Sequence, residues 1–183
     1  MPRLTSLNGP VAPSKIKLFV TDVDGTLTDG GMYYTDQGEY MKLFNTRDGK
    51  GLNMLQEAGV QVAVMTSEHS NIVLRRAEKL NVRHVFIGVK DKLAQLTELC
   101  TELQLPLASV AYVGDDINDL EVMRTVGLAF AVADADRRVL EAAHIRLLRP
   151  GGAGAVREAA ECILSGIVPS QDKTMNDARS SPD

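Results

Sequence analysis

Residues 16–21, Ile-Lys-Leu-Phe-Val-Thr, form a short run of strand length, mostly apolar and rich in β-branched and aromatic side chains. The run stops at two carboxylates, Asp22 and Asp24, and Gly25, Thr26, Gly30 and Gly31 follow. A buried strand that ends in paired acids and a tight turn places those acids at the carboxyl end of a sheet, where open α/β sheets bind ligands. Carboxylates one residue apart point to opposite faces of an extended strand. Past the strand end that alternation relaxes, so one Asp is available as a nucleophile toward phosphorus and the other as a general acid/base. Capping of the following turn explains the same two residues equally well. If both were ionised they would repel each other, and a divalent cation would offset that repulsion.

Further along, apolar runs alternate with helical patterns. Strand-like runs are expected at 60–66, 84–87, 110–114, 128–133 and 145–148, and helices at 47–58, 67–80, 91–103, 116–126, 135–143 and 153–164. This alternation predicts an α/β fold, a three-layer parallel sheet with helices on both faces. Between Met32 and Phe44 two strand-like runs flank Asp36-Gln37-Gly38, a hairpin signal. Six residues of this hairpin are apolar or aromatic (Met32, Tyr33, Tyr34, Tyr40, Met41, Phe44). A solitary hairpin is marginal in water, so pairing with another chain is expected. Residues 1–14 contain three prolines and read as a flexible lead-in, 15–168 as one domain, and 169–183 as a disordered polar tail.

A second acidic cluster, Gly114-Asp115-Asp116-Ile-Asn-Asp119, also follows an apolar run. Two strand ends bearing acids can converge on one cation although about 90 residues separate them. Taken singly the cluster reads better as an N-cap favoured by the helix dipole; beside Asp22 and Asp24 a metal site is the better reading. Thr66, with Ser67 beside it, closes another strand, where a hydroxyl and helix-start amides suit phosphoryl oxygens. Capping of the next helix is compatible with that role. Lys90 and Lys92 are both candidates to carry a cation to the site, and a Lys opening a helix opposes the dipole.

The order Asp22-x-Asp24-Gly25-Thr26, Thr66, Lys92 and Gly114-Asp115-Asp116-x-x-Asp119 resembles the four motifs of the haloacid dehalogenase superfamily over about residues 15–167. The resemblance implies a Rossmann-like fold with Asp22 as nucleophile and Asp24 as acid/base. It also implies Mg²⁺ held by the Asp22 carboxylate, the Asp24 main-chain carbonyl and Asp115, with Asp116 and Asp119 in support. It gives phosphate binding to Thr66, Ser67 and Lys92, the Asp-Lys-Leu pattern favouring Lys92 over Lys90.

With only a small hairpin and no large cap domain, the chain looks like the capless branch typified by 3-deoxy-D-manno-octulosonate 8-phosphate phosphatase. Leu27-Thr28-Asp29-Gly30, Phe44-Asn45-Thr46-Arg47-Asp48-Gly49 and Gly151–Glu158 carry that likeness. The branch implies a homotetramer built through the 32–44 hairpin and a phosphorylated sugar acid as substrate, from lipopolysaccharide or sialic acid biosynthesis. Thr66-Ser67-Glu68-His69 lacks the Thr-Gly-Arg usual in octulosonate enzymes and looks more like the nonulosonate 9-phosphate type. Thr46, Glu68, Arg76 and Lys79 are therefore the candidate selectors, although Arg75, Arg76 and Lys79 also read as a solvated helix face. The Gly151–Gly154 turn suits either an anion or a flexible helix entry. Two readings of other kinds stay open: a broad-specificity phosphatase, and a non-catalytic oligomerisation module like those fused to cytidylyltransferases.

Composition narrows the partners. The net charge is −4, no basic block suggests nucleic acid, and no apolar stretch of ~20 residues suggests a membrane span. Cys100 and Cys162 are far apart and form no metal or redox motif, so buried free thiols in a reducing cytoplasm are expected. His69, His84 and His144 have no ligand spacing.

Overall fold

The computed structural model describes residues 12–167; the expectations for the first eleven residues and for the 169–183 tail lie outside them. The chain runs β1 (Leu18–Thr21), β2 (Tyr33–Thr35), β3 (Gly38–Met41), α1 (Thr46–Glu57), β4 (Gln61–Met65), α2 (Asn71–Lys79) and β5 (His84–Phe86). It continues with α3 (Lys92–Glu102), β6 (Val110–Gly114), α4 (Leu120–Thr125), β7 (Leu128–Ala131), α5 (Arg137–Ala142), β8 (Ile145–Arg146) and α6 (Ala155–Ser165). Pro13–Lys15, across the boundary between the expected lead-in and the domain, forms a short 3₁₀ turn.

Six strands form one parallel sheet in the order β5-β4-β1-β6-β7-β8. All residues of β1, β6 and β7 are buried, as near-continuous apolar strands in a doubly covered sheet must be. From β1 the chain builds outward through β4 and β5, then crosses back to β6 on the other side. The carboxyl ends of β1 and β6 therefore flank the topological switch point, the crevice where such sheets bind ligands.

Two helices differ from the sequence reading. Residues 67–70 are not helical, because the Glu68 amide donates to Thr66 Oγ1 (3.1 Å) and the Glu68 carbonyl accepts from the Gly88 amide (3.0 Å). The backbone there is committed to a loop, and α2 starts at Asn71. The segment expected as a helix from Asp116 starts instead as a 3₁₀ turn, Ile117–Asp119, closed by a reciprocal Asp116/Asp119 capping box.

β2 and β3 form a separate two-stranded sheet. Tyr40 is 72% exposed, Tyr34 61% and Leu43 58%. No cap domain stands over the site among the described residues. No helix of the described residues is long and apolar enough to cross a membrane.

Candidate active site

β1 ends at Thr21, but the Asp22 amide still donates to the Val113 carbonyl of β6 (3.1 Å), so the first acid is anchored on the sheet. The chain then turns through Gly25, whose φ of +89° is a left-handed conformation that side chains disfavour. A Cβ there would also stand 2.0 Å from Asp115 Oδ2. That close approach lets the loop after β1 lie against the loop after β6, and Thr26 Oγ1 donates to Asp115 Oδ1 across the gap (2.9 Å).

Lys92 opens α3 and is almost wholly buried. Its ammonium contacts Asp22 Oδ1 and Asp119 Oδ1, each at 2.6 Å. Lys90, the competing candidate, precedes Asp91, the N-cap of α3, and is exposed. Asp119 is fully buried and heavily used. Its Oδ1 accepts from Lys92 and from the Tyr112 hydroxyl (2.6 Å), and its Oδ2 from the amides of Asp115 (3.0 Å) and Asp116 (3.3 Å). Tyr112 lies on β6 with its ring fully buried, a partner that the sequence reading passed over as core.

Carboxylate oxygens of Asp22, Asp115 and Asp119 lie within 4.8 Å of one another. One ammonium does not balance three acids. Burial, then the charge of Asp119, holds Asp22 well above the usual carboxylate range, against the pull of Lys92. Burial and Asp119 push Asp115 to about 6. Burial works to lower Lys92, but Asp22 and Asp119 outweigh it, and its pKa is raised. Buried acids held above their ordinary values need positive charge, and an all-oxygen donor set suits Mg²⁺. The acceptor positions of Asp119 are taken up by Lys92, Tyr112 and two amides, so Asp22 and Asp115 are the carboxylates fitted to hold the ion. Asp119 then orients Lys92 and the β6 loop. Asp116 is spent on the capping box.

Asp24 lies two residues beyond Asp22 but belongs to a second network. Its Oδ2 accepts from Thr66 Oγ1 (3.3 Å) and its Oδ1 pairs with Lys42. Lys42 also pairs with Glu39 Oε1 (2.7 Å), and Glu39 Oε2 accepts from Ser70 Oγ. Lys42 follows β3 and its side chain is wholly buried. The sequence reading missed it, taking Tyr40-Met-Lys-Leu-Phe44 as a hairpin strand. The usable signal was a lone cation inside an apolar run close to two unpaired acids.

Thr66 is buried at the end of β4, and exposed Ser67 accepts from Asn118 Nδ2 (3.2 Å), so both phosphate candidates stand at the carboxyl edge of the sheet. The proposed selectors are more scattered. Thr46 is exposed at the start of α1, and Glu68 is exposed in the loop after β4. Arg76 is engaged elsewhere: its guanidinium stacks 5.6 Å from the Phe44 ring centroid and donates to the Asn45 carbonyl (3.3 Å). Lys79 is exposed in the last turn of α2, which runs away from the sheet's carboxyl edge.

The glycine-rich turn is structural. Gly151 N donates to Asp134 Oδ1 (2.9 Å), Gly152 N to the Thr26 carbonyl (3.0 Å), Ala153 N to the Pro150 carbonyl (3.2 Å) and Gly154 N to Asp48 Oδ2 (3.2 Å). With these amides engaged, the turn offers no cradle to an anion. A Cβ on Gly151 would fall 1.8 Å from the Gly25 carbonyl oxygen, so the turn needs glycine to back onto the Asp24 loop. Asp48, buried on α1, also accepts from Arg157 N (2.9 Å) and caps α6 from another helix.

Residues 88–149, which span Lys92 and the second acidic cluster, match the haloacid dehalogenase-like hydrolase family. The 3-deoxy-D-manno-octulosonate 8-phosphate phosphatase of Yersinia pestis is 42% identical over 162 residues, 85% of this chain and 87% of that one. This chain belongs to that phosphatase family. The crystal structure of the Yersinia pestis phosphatase gives a TM-score of 0.83 at 41% identity, over 85% of this chain and 84% of that one. The Moraxella catarrhalis phosphatase, solved with magnesium ion, phosphate ion and a KDO molecule, gives 0.82 at 37% identity, over 85% of this chain and 89% of that one. Mg²⁺ is thus present in a family member's structure, and this chain carries the acidic cluster that fits it. Cys100 and Cys162 are buried and form no disulfide.

Proposed function

We propose that this chain, through the unit spanning residues 15–168, is a Mg²⁺-dependent phosphomonoesterase releasing phosphate from 3-deoxy-D-manno-octulosonate 8-phosphate. The observation that carries the chemistry is Lys92 bridging Asp22 and Asp119 with the Asp115 carboxylate alongside. Family membership supports the substrate, because the relatives named above are octulosonate 8-phosphate phosphatases. Their likeness outweighs the lean toward a nonulosonate 9-phosphate read from Glu68.

Lys92 fixes Oδ1 of Asp22. Asp22 attacks phosphorus, and a new O–P bond forms as the bond to the sugar oxygen breaks. Asp24 gives that oxygen its proton, so the sugar leaves as an alcohol. Asp24 then takes a proton from water, the water oxygen attacks the aspartyl-phosphate, and inorganic phosphate leaves with Asp22 restored. Thr66, Ser67 and Lys92 hold the phosphoryl oxygens. Mg²⁺, when bound by Asp22, the Asp24 carbonyl and Asp115, offsets negative charge between nucleophile and phosphate.

Within one chain the site is open, and we assign its closure to a homotetramer formed through the 32–44 hairpin. Its exposed tyrosines and methionines support that assignment. A cation from a neighbouring subunit would then meet the sugar-acid carboxylate, with Lys79 freer for this than Arg76. A reducing cytoplasm suits the two buried thiols.

The test is phosphate release, with and without Mg²⁺, from octulosonate 8-phosphate, a nonulosonate 9-phosphate and an aryl phosphate in parallel. Strong preference for the octulosonate is expected. Preference for the nonulosonate would restore Glu68 as a selector. Release from the aryl phosphate alone would leave the chemistry but remove the sugar acid, and release from none would favour the oligomerisation module.

A further inference from the structure

Lys42 is the second buried ammonium near the catalytic crevice, and the reaction above makes no use of it. Its side chain has no exposed surface, and it sits between Asp24 and Glu39. A buried Lys is costly unless paired, and this one is paired twice. Glu39 belongs to β3 and is held in turn by Ser70, a buried residue at the start of α2. The Asp24 carboxylate is therefore gripped on one oxygen by Lys42 and on the other by Thr66. Its partners come from three places in the chain: the end of the hairpin, the end of β4 and, through Glu39 and Ser70, the entry to α2.

A proton donor works only when its carboxyl group is held at the leaving oxygen, within hydrogen-bond reach. Asp24 follows the end of β1 and sits next to the left-handed Gly25, and its side chain is 19% exposed. Lacking the lateral pairing that anchors Asp22, it needs side-chain partners to fix its rotamer. We infer that Lys42 is a positioning residue for Asp24, and that Glu39 and Ser70 fix Lys42 so that the seating of the hairpin sets the aim of the proton donor. This inference rests on the phosphatase reading and deepens it. Sugar-phosphate hydrolysis expels a primary alcohol, whose oxygen must be protonated as it leaves. A nitrophenolate leaves without that help.

The experiment compares wild type with Lys42→Met, in the presence of Mg²⁺, on two substrates. One is octulosonate 8-phosphate, or whichever primary-alkyl phosphate wild type hydrolyses best; the other is p-nitrophenyl phosphate. The readout is kcat/KM, which covers steps up to departure of the leaving group and excludes the later hydrolysis of the aspartyl-phosphate. The alkyl substrate is expected to lose about tenfold or more, within the range that general acid catalysis supplies, and the aryl substrate less than about threefold. Equal losses on both, or no loss on either, would overturn the inference and leave Lys42 a structural ion pair. If Lys42→Met does not fold, Lys42→Arg keeps the charge but replaces a compact ammonium by a planar fork. The same substrate-selective loss, smaller in size, is expected, and its absence overturns the inference equally. Failure of the underlying reading is separately visible, because wild type would then release phosphate from neither substrate.

Discussion

Two buried lysines serve the two aspartates of the first motif, and they are built differently. Lys92 rises from the first residue of α3, and the pocket that holds it is closed: its carboxylate partners have side chains 7% and 0% exposed. Lys42 hangs from the end of an exposed hairpin, and its partners, Asp24 and Glu39, are 19% and 15% exposed. Asp22, the proposed nucleophile, is thus fixed by the sheet and an adjoining helix, whereas Asp24, the proposed acid/base, is held through an inserted module. On the proposed roles, one half of the chemistry depends on the fold and the other on the seating of a hairpin.

The contrast breaks most visibly at the nucleophile. Asp22→Asn is expected to reduce Mg²⁺-dependent turnover by at least about 10⁴-fold while leaving a folded protein. Substantial remaining activity in a phosphate-release assay would remove Asp22 from its role.

Next in size is the stability difference between the two lysine networks. Lys92→Met strands two enclosed carboxylates, and urea melts are expected to show a loss of about 3–5 kcal/mol. Lys42→Met leaves carboxylates that reach water, so its loss should be less than half as large. Equal losses would erase the distinction between a closed and a half-open lysine.

Titration of the metal-free protein sharpens the same point. Asp115 is raised in the folded state to about 6, above its unfolded value, so the native state holds more protons between pH 4 and 6. Stability then falls as pH rises through that window. Metal-free protein should melt at a lower temperature at pH 7 than at pH 5, and added Mg²⁺ should raise the melting temperature more at pH 7. A larger Mg²⁺ effect at pH 5 would contradict the charge excess assigned to the Asp22, Asp115 and Asp119 group.

The smallest expected effect is that of Glu39→Gln. It takes one of two partners from Lys42 at a partly exposed position, and thermal melts should register about 1 kcal/mol or less.

The parallel sheet was legible because strands covered on both faces read as unbroken apolar runs, and Val110–Gly114 or Leu128–Ala131 admit little else. Boundaries failed where side chains took over from periodicity, as at Thr66 and Glu68, whose mutual bond turns an expected helix start into a loop. Asp22, Lys92 and Asp115 were readable as spaced motifs at strand and helix ends. Asp119 was readable as support, although not as the acceptor of four separate hydrogen bonds, because that depends on the Tyr112 hydroxyl reaching it from within β6. Lys42 was missed for a different reason. A lone cation inside the apolar run Tyr40–Phe44 was the one signal, and nothing local joins it to Asp24, 18 residues away, as well as to Glu39 three residues before it. Arg76 is the converse case: a cation on a polar helix reads as solvated or as a ligand's partner, and within the chain its partners are a neighbouring ring and a carbonyl.

The Gly151 turn leans on the loop bearing Asp24, and Gly152 donates to Thr26 in that loop. During synthesis Asp22 therefore emerges early, yet the wall behind its loop arrives only with the turn before the last described helix. β1 must also wait for β6 to flank it, a pairing across about 90 residues. Contacts of such long sequence separation form late and slowly. A ribosome-bound chain would carry Asp22 and Asp24 without a complete crevice until β6 and the Gly151 turn have cleared the exit tunnel, and the proposed activity would begin only then.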